Sequence, residues 1–234
     1  SSLSRNITIK GGVVMRSKTR NIRRATQDLD IDFIRLSLSN EAIDTFISKL
    51  NCLDGITLKR YGEIEELKQQ DYKGKRVFIQ LQDDAGNMIV NKLDIGVHTH
   101  LNLEQEEYCF DIAFDEEGAS VLINTNEQMF AEKLQSLLRL GTISTRYKDI
   151  FDMYYLSQHV DSYALCRCLD TCVFSDSRMR ENNLQEILAR LEFTFQNKNY
   201  LKRVDRAKTK WIDLEIDTVV EGIKSALEKC KQIE

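Results

Sequence analysis

The segment Lys10–Phe33, KGGVVMRSKTRNIRRATQDLDIDF, contains a glycine pair, a run of basic residues and an alternating acidic stretch, in that order. Residues 5–10 alternate between polar and apolar side chains, which predicts a strand that ends at Gly11 and Gly12. The sequence GVVMRSK predicts a short helix directly after the glycines. Glycine lets another group approach the backbone closely, and a helix N-terminus offers free N–H groups, so this order suits an anion such as a phosphate.

Three aspartates, Asp28, Asp30 and Asp32, alternate with apolar residues and predict a strand with one acidic face and one apolar face. Carboxylates on one strand face can share one or two hard cations, and a pair of Mg²⁺ ions serves phosphoryl and nucleotidyl transfer. Asp94, an acid in the otherwise apolar VNKLDIGV, is the candidate for a third carboxylate. A solvated acidic strand is the alternative interpretation.

Two basic runs stand out in a chain of net charge -4. The first runs from Arg16 to Arg24 without an acid, and its cations are Arg16, Lys18, Arg20, Arg23 and Arg24. The second, Lys198–Lys210, holds six cations and one aspartate. Such runs are often solvated surface. The first run either binds a polyanion through its phosphates or offsets the acidic strand.

Composition indicates a globular chain, because its 234 residues are 42% hydrophobic and 30% charged. No window approaches the roughly 18 apolar residues of a membrane span, and no signal-peptide pattern opens the chain. We therefore predict a cytoplasmic protein that does not contact membranes. Cys168 and Cys172 lie four residues apart in a helical pattern, and they are predicted as buried thiols in preference to zinc ligands.

The hydrophobic period changes about halfway along the chain. The first part alternates between strand patterns, among them Tyr108–Phe114, and short helices, whereas nearly everything after it has helical spacing. We predict an α+β fold with a mixed α/β domain over residues 1–125 and a helical bundle over residues 126–234. Asn40 and Asn126 are predicted to cap the helices that follow them.

The glycine and aspartate segment resembles the first motif of a known family. GGVVMR, followed after basic residues by RATQDLDIDF, is similar to that of the AbiEii/AbiGii-type toxins. These are nucleotidyltransferases of the polymerase-beta-like superfamily, found in bacterial abortive-infection and toxin–antitoxin systems. The family motif has a Gly-Gly or Gly-Ser pair, a short helix and an Arg-x-Ser/Thr-x-Asp-Leu-Asp core, which here runs from Arg24 through Thr26 to Asp30. Gly12 stands where the wider superfamily has serine, so backbone N–H groups would have to replace one hydroxyl.

Three further blocks match the family in order. NKLDI resembles the strand with the third carboxylate, Asp94, and MFAEKLQSLL resembles the helix with the family lysine, Lys133. RYKDIFDMYYL resembles a block with two aspartates, Asp149 and Asp152; Asp149 is favoured for the site, although the choice stays open. The resemblance covers roughly residues 8–157.

The resemblance implies a magnesium-dependent enzyme that moves a nucleoside monophosphate from a nucleoside triphosphate to an acceptor hydroxyl. It implies a nucleotidyltransferase-type mixed sheet with flanking helices, and a helical domain that contributes Lys133 and Asp149 to the site. The implied catalytic residues are Asp28, Asp30, Asp94, Lys133 and Asp149, of which the first three bind two Mg²⁺ ions. The implied nucleotide-binding residues are Gly11, Gly12, Arg24, Thr26 and Lys133. The residues predicted to bind the acceptor are Arg16, Lys18, Arg20 and Arg23.

In the relatives this activity is a toxin function restrained by a separately encoded antitoxin, and tRNA is one kind of acceptor. Two alternatives remain. The enzyme could modify a small molecule such as an antibiotic, although the basic runs favour a macromolecule. The chain could also be a non-catalytic interaction protein of the same fold, although its full set of acids and the lysine argues against this.

Overall fold

The computed structural model describes residues 4–67, 74–112 and 115–231. The chain divides into two compact units, Ser1–Asn124 and Thr125–Glu234, and each is described by itself. Within the described residues the first unit contains seven strands and two helices, and the second unit is helical. The predicted α+β class, with a sheet first and helices after it, is confirmed.

The strands of the first unit form one mixed sheet. They are β1 Ile7–Lys10, β2 Leu29–Phe33, β3 Ile56–Leu67, β4 Gly74–Asp83, β5 Met88–Val97, β6 Gln105–Ile112 and β7 Asp115–Asn124. Their order in the sheet is β3-β4-β5-β2-β1-β7-β6. β2 pairs in parallel with β5, and β1 in parallel with β7, whereas the other described pairs are antiparallel. The sheet therefore places β2, which carries the aspartates, at its centre.

One face of the sheet packs against a helix. Helix α1, Gly12–Thr19, follows β1, and helix α2, Asn40–Lys49, follows β2. The buried residues of α2 and of the sheet form one apolar cluster, in which the rings of Phe33 and Phe46 meet edge to face at 5.2 Å. Since side chains alternate along a strand, burial of Phe33 on this face turns the carboxylates of β2 to the other face.

Several predicted boundaries are wrong by a few residues. Asn40 and Asn126 are not caps: the hydroxyls of Ser39 and Thr125, one residue earlier, accept the N–H groups that need a partner. β2 is shorter than predicted and begins after Asp28, which precedes the strand. β6 ends at Ile112, and the last two residues of the predicted strand Tyr108–Phe114 lie outside the described residues.

The helices of the second unit pack around a shared apolar core. They are α3 Asn126–Leu140, α4 Tyr147–Ser157, α5 Ser162–Leu169, α6 Leu184–Gln196, α7 Lys198–Asp205 and α8 Ile216–Cys230, with a 3₁₀ turn at Gly141–Ile143 and a π-helical turn at Asp170–Phe174. α7 lies inside the second basic run, where only Tyr200 and Val204 are buried. Its few apolar residues explain why the sequence pattern did not predict it as a helix.

The two central cysteines belong to this core. Cys168 and Cys172 are both buried, and burial raises the pKa of the Cys168 thiol to about 12. These thiols therefore pack as small apolar groups, as predicted. None of the described helices combines the length and apolar composition that crossing a bilayer requires.

Candidate active site

A row of four charged residues crosses the sheet on the face opposite α2. Lys10 on β1 lies opposite Asp30 on β2, and Asp30 lies opposite Asp94 on β5. Asp94 in turn lies opposite Arg76 on β4. Side chains directly opposite each other on neighbouring strands point to the same face. The parallel register of β2 and β5 therefore brings together Asp30 and Asp94, which the sequence placed 64 residues apart.

The surroundings of Asp30 disfavour its negative charge. Burial raises the pKa of its carboxyl group; Lys10 opposes this effect, and the negative charges of Asp94, Asp28 and Asp32 add to it. Such surroundings favour either a proton or a bound cation on the carboxylate. Perturbed acids of this kind are characteristic of functional sites.

Cations from neighbouring strands contact the other acids. Arg76 donates from Nε and Nη2 to the two carboxylate oxygens of Asp94, at 2.8 and 2.9 Å. Lys92 Nζ lies 2.5 Å from an oxygen of Asp28. Sequence reasoning missed both cations. For Lys92 a signal was present, because it lies two residues before Asp94 on the same strand and so shares its face.

Asp32 differs from the other aspartates of the segment. Its residue exposure is only 5%, and Lys10 Nζ lies 2.7 Å from its carboxylate. The alternative of a solvated acidic strand therefore does not hold at Asp32, which is buried and paired. Asp32 thereby compensates the positive charge of Lys10, which lies opposite Asp30.

The glycine pair touches this acidic group directly. Gly11 has φ +71°, and a Cβ there would lie 2.2 Å from Asp30 Oδ2. A Cβ on Gly12 would lie 2.2 Å from the hydroxyl oxygen of Thr26. Gly11 is also the N-cap of α1 and provides no capping side chain. The structure thus brings Gly11, Gly12, Thr26 and Asp30 together at the first turn of a helix, where N–H groups lack intrahelical partners.

Two cations of the first basic run pair with acids of β6. Lys18 pairs with Glu106 on β6, and its ammonium lies 5.4 Å from the ring centroid of Tyr108. Arg20 lies 3.5 Å from Asp111, also on β6. Of the remaining cations, Arg24 is buried, Arg16 is half-buried and Arg23 is exposed. The ion pairs of Lys18 and Arg20 therefore connect this run with β6. The predicted roles of the run in nucleotide and acceptor binding stay predictions.

The donor set fits a hard divalent cation. Among the described residues, no three His, Cys, Asp or Glu side chains are grouped as they would be around a metal ion. Instead, neighbouring lysine and arginine side chains contact the carboxylates. The oxygens of Asp28, Asp30 and Asp94 are the ligand type that Mg²⁺ prefers. Burial, with a smaller contribution from the neighbouring aspartates, raises the pKa of Asp30, so a cation bound there would stabilise its charged form.

A second charged cluster lies within the helical unit. Lys133 of α3 contacts two carboxylates of α4, with its Nζ 2.7 Å from Asp149 Oδ1 and 2.9 Å from Asp152 Oδ2. Arg146 Nε donates to Asp149 Oδ2 at 2.7 Å. Trp211 Nε1 donates to Asp152 Oδ1 at 3.0 Å. The three-residue spacing of the aspartates places both on one face of α4, toward Lys133.

This cluster is buried and remains charged. The Lys133 side chain is only 11% exposed, so Lys133 is not a solvated surface lysine. Burial disfavours its charge, but Asp149 and Asp152 outweigh this and raise the pKa of Lys133. Burial likewise opposes ionisation of Asp149, but Lys133 and Arg146 prevail and lower the pKa of that carboxyl. The assignment of Lys133 and Asp149 to catalysis stays a prediction, and Trp211 gave no signal in the sequence.

Paired carboxylates on adjacent strands, beside a glycine pair that opens a helix, suit an enzyme that transfers nucleotides. The family model for the nucleotidyl transferase AbiEii toxin of type IV toxin–antitoxin systems matches residues 1–221 of the 234-residue chain. The chain therefore belongs to the AbiEii family, and the resemblance of its motifs is confirmed. Membership makes it a nucleotidyltransferase toxin that uses a nucleoside triphosphate and is paired with a separate antitoxin. No curated protein matches the chain.

Proposed function

We propose that this chain is a magnesium-dependent toxin that transfers a nucleoside monophosphate to an acceptor hydroxyl of tRNA or another macromolecule. The observation that carries the proposal is the register of β2 and β5, which places Asp30 beside Asp94 while Asp30 touches Gly11. The carboxylate pair proposed to bind metal and the glycine pair proposed to bind phosphate thus meet at Gly11 and Asp30. A purely structural sheet has no need to place two acids opposite each other.

Each group has a proposed role. Asp28, Asp30 and Asp94 would hold two Mg²⁺ ions, which would supply Lewis-acid stabilisation of the phosphate oxygens. Arg76 and Lys92 orient the carboxylates of Asp94 and Asp28 through charge-assisted contacts. The N–H groups that follow Gly11 bind the triphosphate, supported by the helix dipole.

In the helical unit, Lys133 is the proposed cation for the triphosphate. Asp149 and Asp152 keep its ammonium charged in spite of burial, which supports a role as a fixed positive charge. Fixed charges that need no reorganisation are the main source of stabilisation in phosphoryl transfer.

The test measures transfer of label from each radioactive nucleoside triphosphate, with Mg²⁺, to total tRNA, to protein and to aminoglycosides. We expect label on RNA, abolished in Asp30→Asn and kept in Asp54→Asn, a matched change at an exposed loop acid. Label on the small molecule alone would contradict the macromolecular acceptor. No label on any acceptor, together with no magnesium-dependent nucleotide binding, would contradict the catalytic proposal.

A further inference from the structure

The second basic run forms an exposed cationic surface on α7 and the residues after it. We define the α7 basic surface by its five exposed cations, Lys198, Lys202, Arg203, Arg206 and Lys208. The one acid among them, Asp205, contacts Lys210 at 2.7 Å, so it does not neutralise the surface. Within the described parts of the chain, Lys198, Lys202, Arg206 and Lys208 form no ion pair. The surface therefore carries a net positive charge that the described residues leave uncompensated.

The spacing of these cations disfavours the helix that carries them. Lys198, Lys202 and Arg206 follow at intervals of four residues, so they lie along one helix face about 6 Å apart in axial rise. Like charges at this spacing destabilise a helix. Tyr200 and Val204 on the opposite side are fully buried and hold α7 in place. The folded unit thus keeps like charges in a row along one helix face. Their regular spacing complements a chain of regularly spaced anions.

A groove adjoins the surface at its N-terminal end. It has a volume of about 410 Å³ and is lined by polar and aromatic groups, among them Tyr147, Asn199 and Arg203. Arg203 is fixed here, because its Nη2 donates to the carbonyl oxygen of Thr142 at 2.6 Å and its guanidinium lies 5.7 Å from the ring centroid of Tyr200. A groove with an aromatic wall, amides and a fixed guanidinium can accept a base or a ribose beside a bound phosphate backbone.

We propose that the α7 basic surface binds the sugar-phosphate backbone of the RNA acceptor, with a nucleotide in the adjoining groove. This inference rests on the proposed function, which includes an RNA acceptor. It places acceptor binding on the second basic run in preference to the first. In the first run Lys18 and Arg20 already pair with acids of β6, and Arg24 is buried.

The experiment measures binding of fluorescein-labelled tRNA by anisotropy, without nucleoside triphosphate, over a range of salt concentrations. The test variant changes Lys198, Lys202, Arg206 and Lys208 to Gln. The matched control removes four other exposed cations of the same unit, Arg167, Arg180, Lys229 and Lys231, in the same way. Both variants lose the same net charge, so a general electrostatic effect would weaken both equally. Circular dichroism verifies that both are folded.

We expect the test variant to bind tRNA about tenfold or more weakly at moderate salt, with the salt slope reduced by about one unit for each phosphate that the protein no longer neutralises. The control should bind as the wild type does. Equal weakening in both variants, or none in either, would overturn the inference. So would a wild-type protein that binds an acidic polypeptide but not tRNA, which would assign the surface to a protein partner. Nucleotide binding measured in parallel distinguishes failure of this inference from failure of the proposed chemistry.

Discussion

Trp211 and Lys133 hold the two oxygens of one buried carboxylate, that of Asp152. The indole N–H donates to Oδ1 at 3.0 Å, and the ammonium lies 2.9 Å from Oδ2. Asp152 has no solvent exposure. The neighbouring Asp149 is held on one side by Arg146, whose side chain is 61% exposed. Asp152 is thus the more firmly fixed aspartate and positions Lys133, whereas Asp149 has the partner that can exchange with solvent or an anion.

The indole hydrogen bond can be removed without removing the ring. Trp211→Phe is expected to lower the free energy of unfolding by about 1–3 kcal/mol, because a hydrogen bond to a fully buried carboxylate disappears. If Trp211 positions Lys133, the fold decrease in kcat should be larger than the fold increase in KM for the nucleotide. Urea unfolding, monitored by circular dichroism, measures the change in stability. Steady-state kinetics measures the changes in kcat and KM. Unchanged stability would contradict the role of this bond.

Lys133 is expected to be the most sensitive position of the helical unit. Lys133→Met leaves Asp149 and Asp152 buried without their ammonium, and breaking a buried ion pair from one side costs about 3–5 kcal/mol. Chemical denaturation at neutral pH measures the loss. Replacement of Lys224, which is partly exposed and pairs with Glu221 on α8, is the control, and its expected loss is below about 1 kcal/mol.

The same cluster predicts a pH dependence. The pKa of Asp149 is lowered from its ordinary 3.8, so its contribution to stability is present above that pH and is lost as the pH falls through the lower, folded value. The pKa of Lys133 is raised from its ordinary 10.5, so its contribution is present below that pH and is lost as the pH rises through the higher, folded value. In Lys133→Met the carboxyl of Asp149 lacks this partner and takes up a proton more readily. The stability difference between wild type and variant should therefore shrink as the pH falls toward 4, and a constant difference would contradict the ion-pair account.

Asp30 is expected to show the opposite balance between stability and function. Its raised pKa means that folding disfavours the charged form, a penalty that is present at neutral pH and disappears as the pH falls below its unfolded pKa. Asp30→Asn should therefore raise Tm at pH 7 and abolish nucleotidyl transfer. The gain should vanish at acidic pH, where the wild-type carboxyl is protonated. A lower Tm in Asp30→Asn at pH 7 would show that the carboxylate is a structural group.

Local patterns predicted much of this molecule, because they depend on neighbours in sequence. Alternation placed the carboxylates of β2 on one face, and helical spacing predicted a helix where α4 forms. The predicted N-cap of α2 is wrong because Ser39 and Asn40 are both good capping residues, and only the backbone geometry decides between them.

Contacts between distant segments could not be predicted in the same way. Arg76 meets Asp94 only through the register of β4 and β5. Trp211 meets Asp152 across 59 residues, and nothing in either segment indicates the pair. The helix α7 was missed because its charged residues conceal the two buried side chains that hold it. Sequence reasoning therefore found the acids of each cluster more readily than the partners that fix them.

The close approach of Gly11 to Asp30 can be tested with an internal control for backbone strain. Gly11 and Gly62 have similar φ angles, +71° and +74°, but a Cβ at Gly62 would have no heavy atom within 4 Å. Alanine at either site is strained, because a residue with a Cβ rarely adopts a positive φ. Only at Gly11 does the new methyl group also displace the carboxylate of Asp30. Gly11→Ala should therefore abolish or strongly reduce transfer, whereas Gly62→Ala should lose similar stability and keep its activity; equal activity in the two variants would show that close approach at Gly11 is not required.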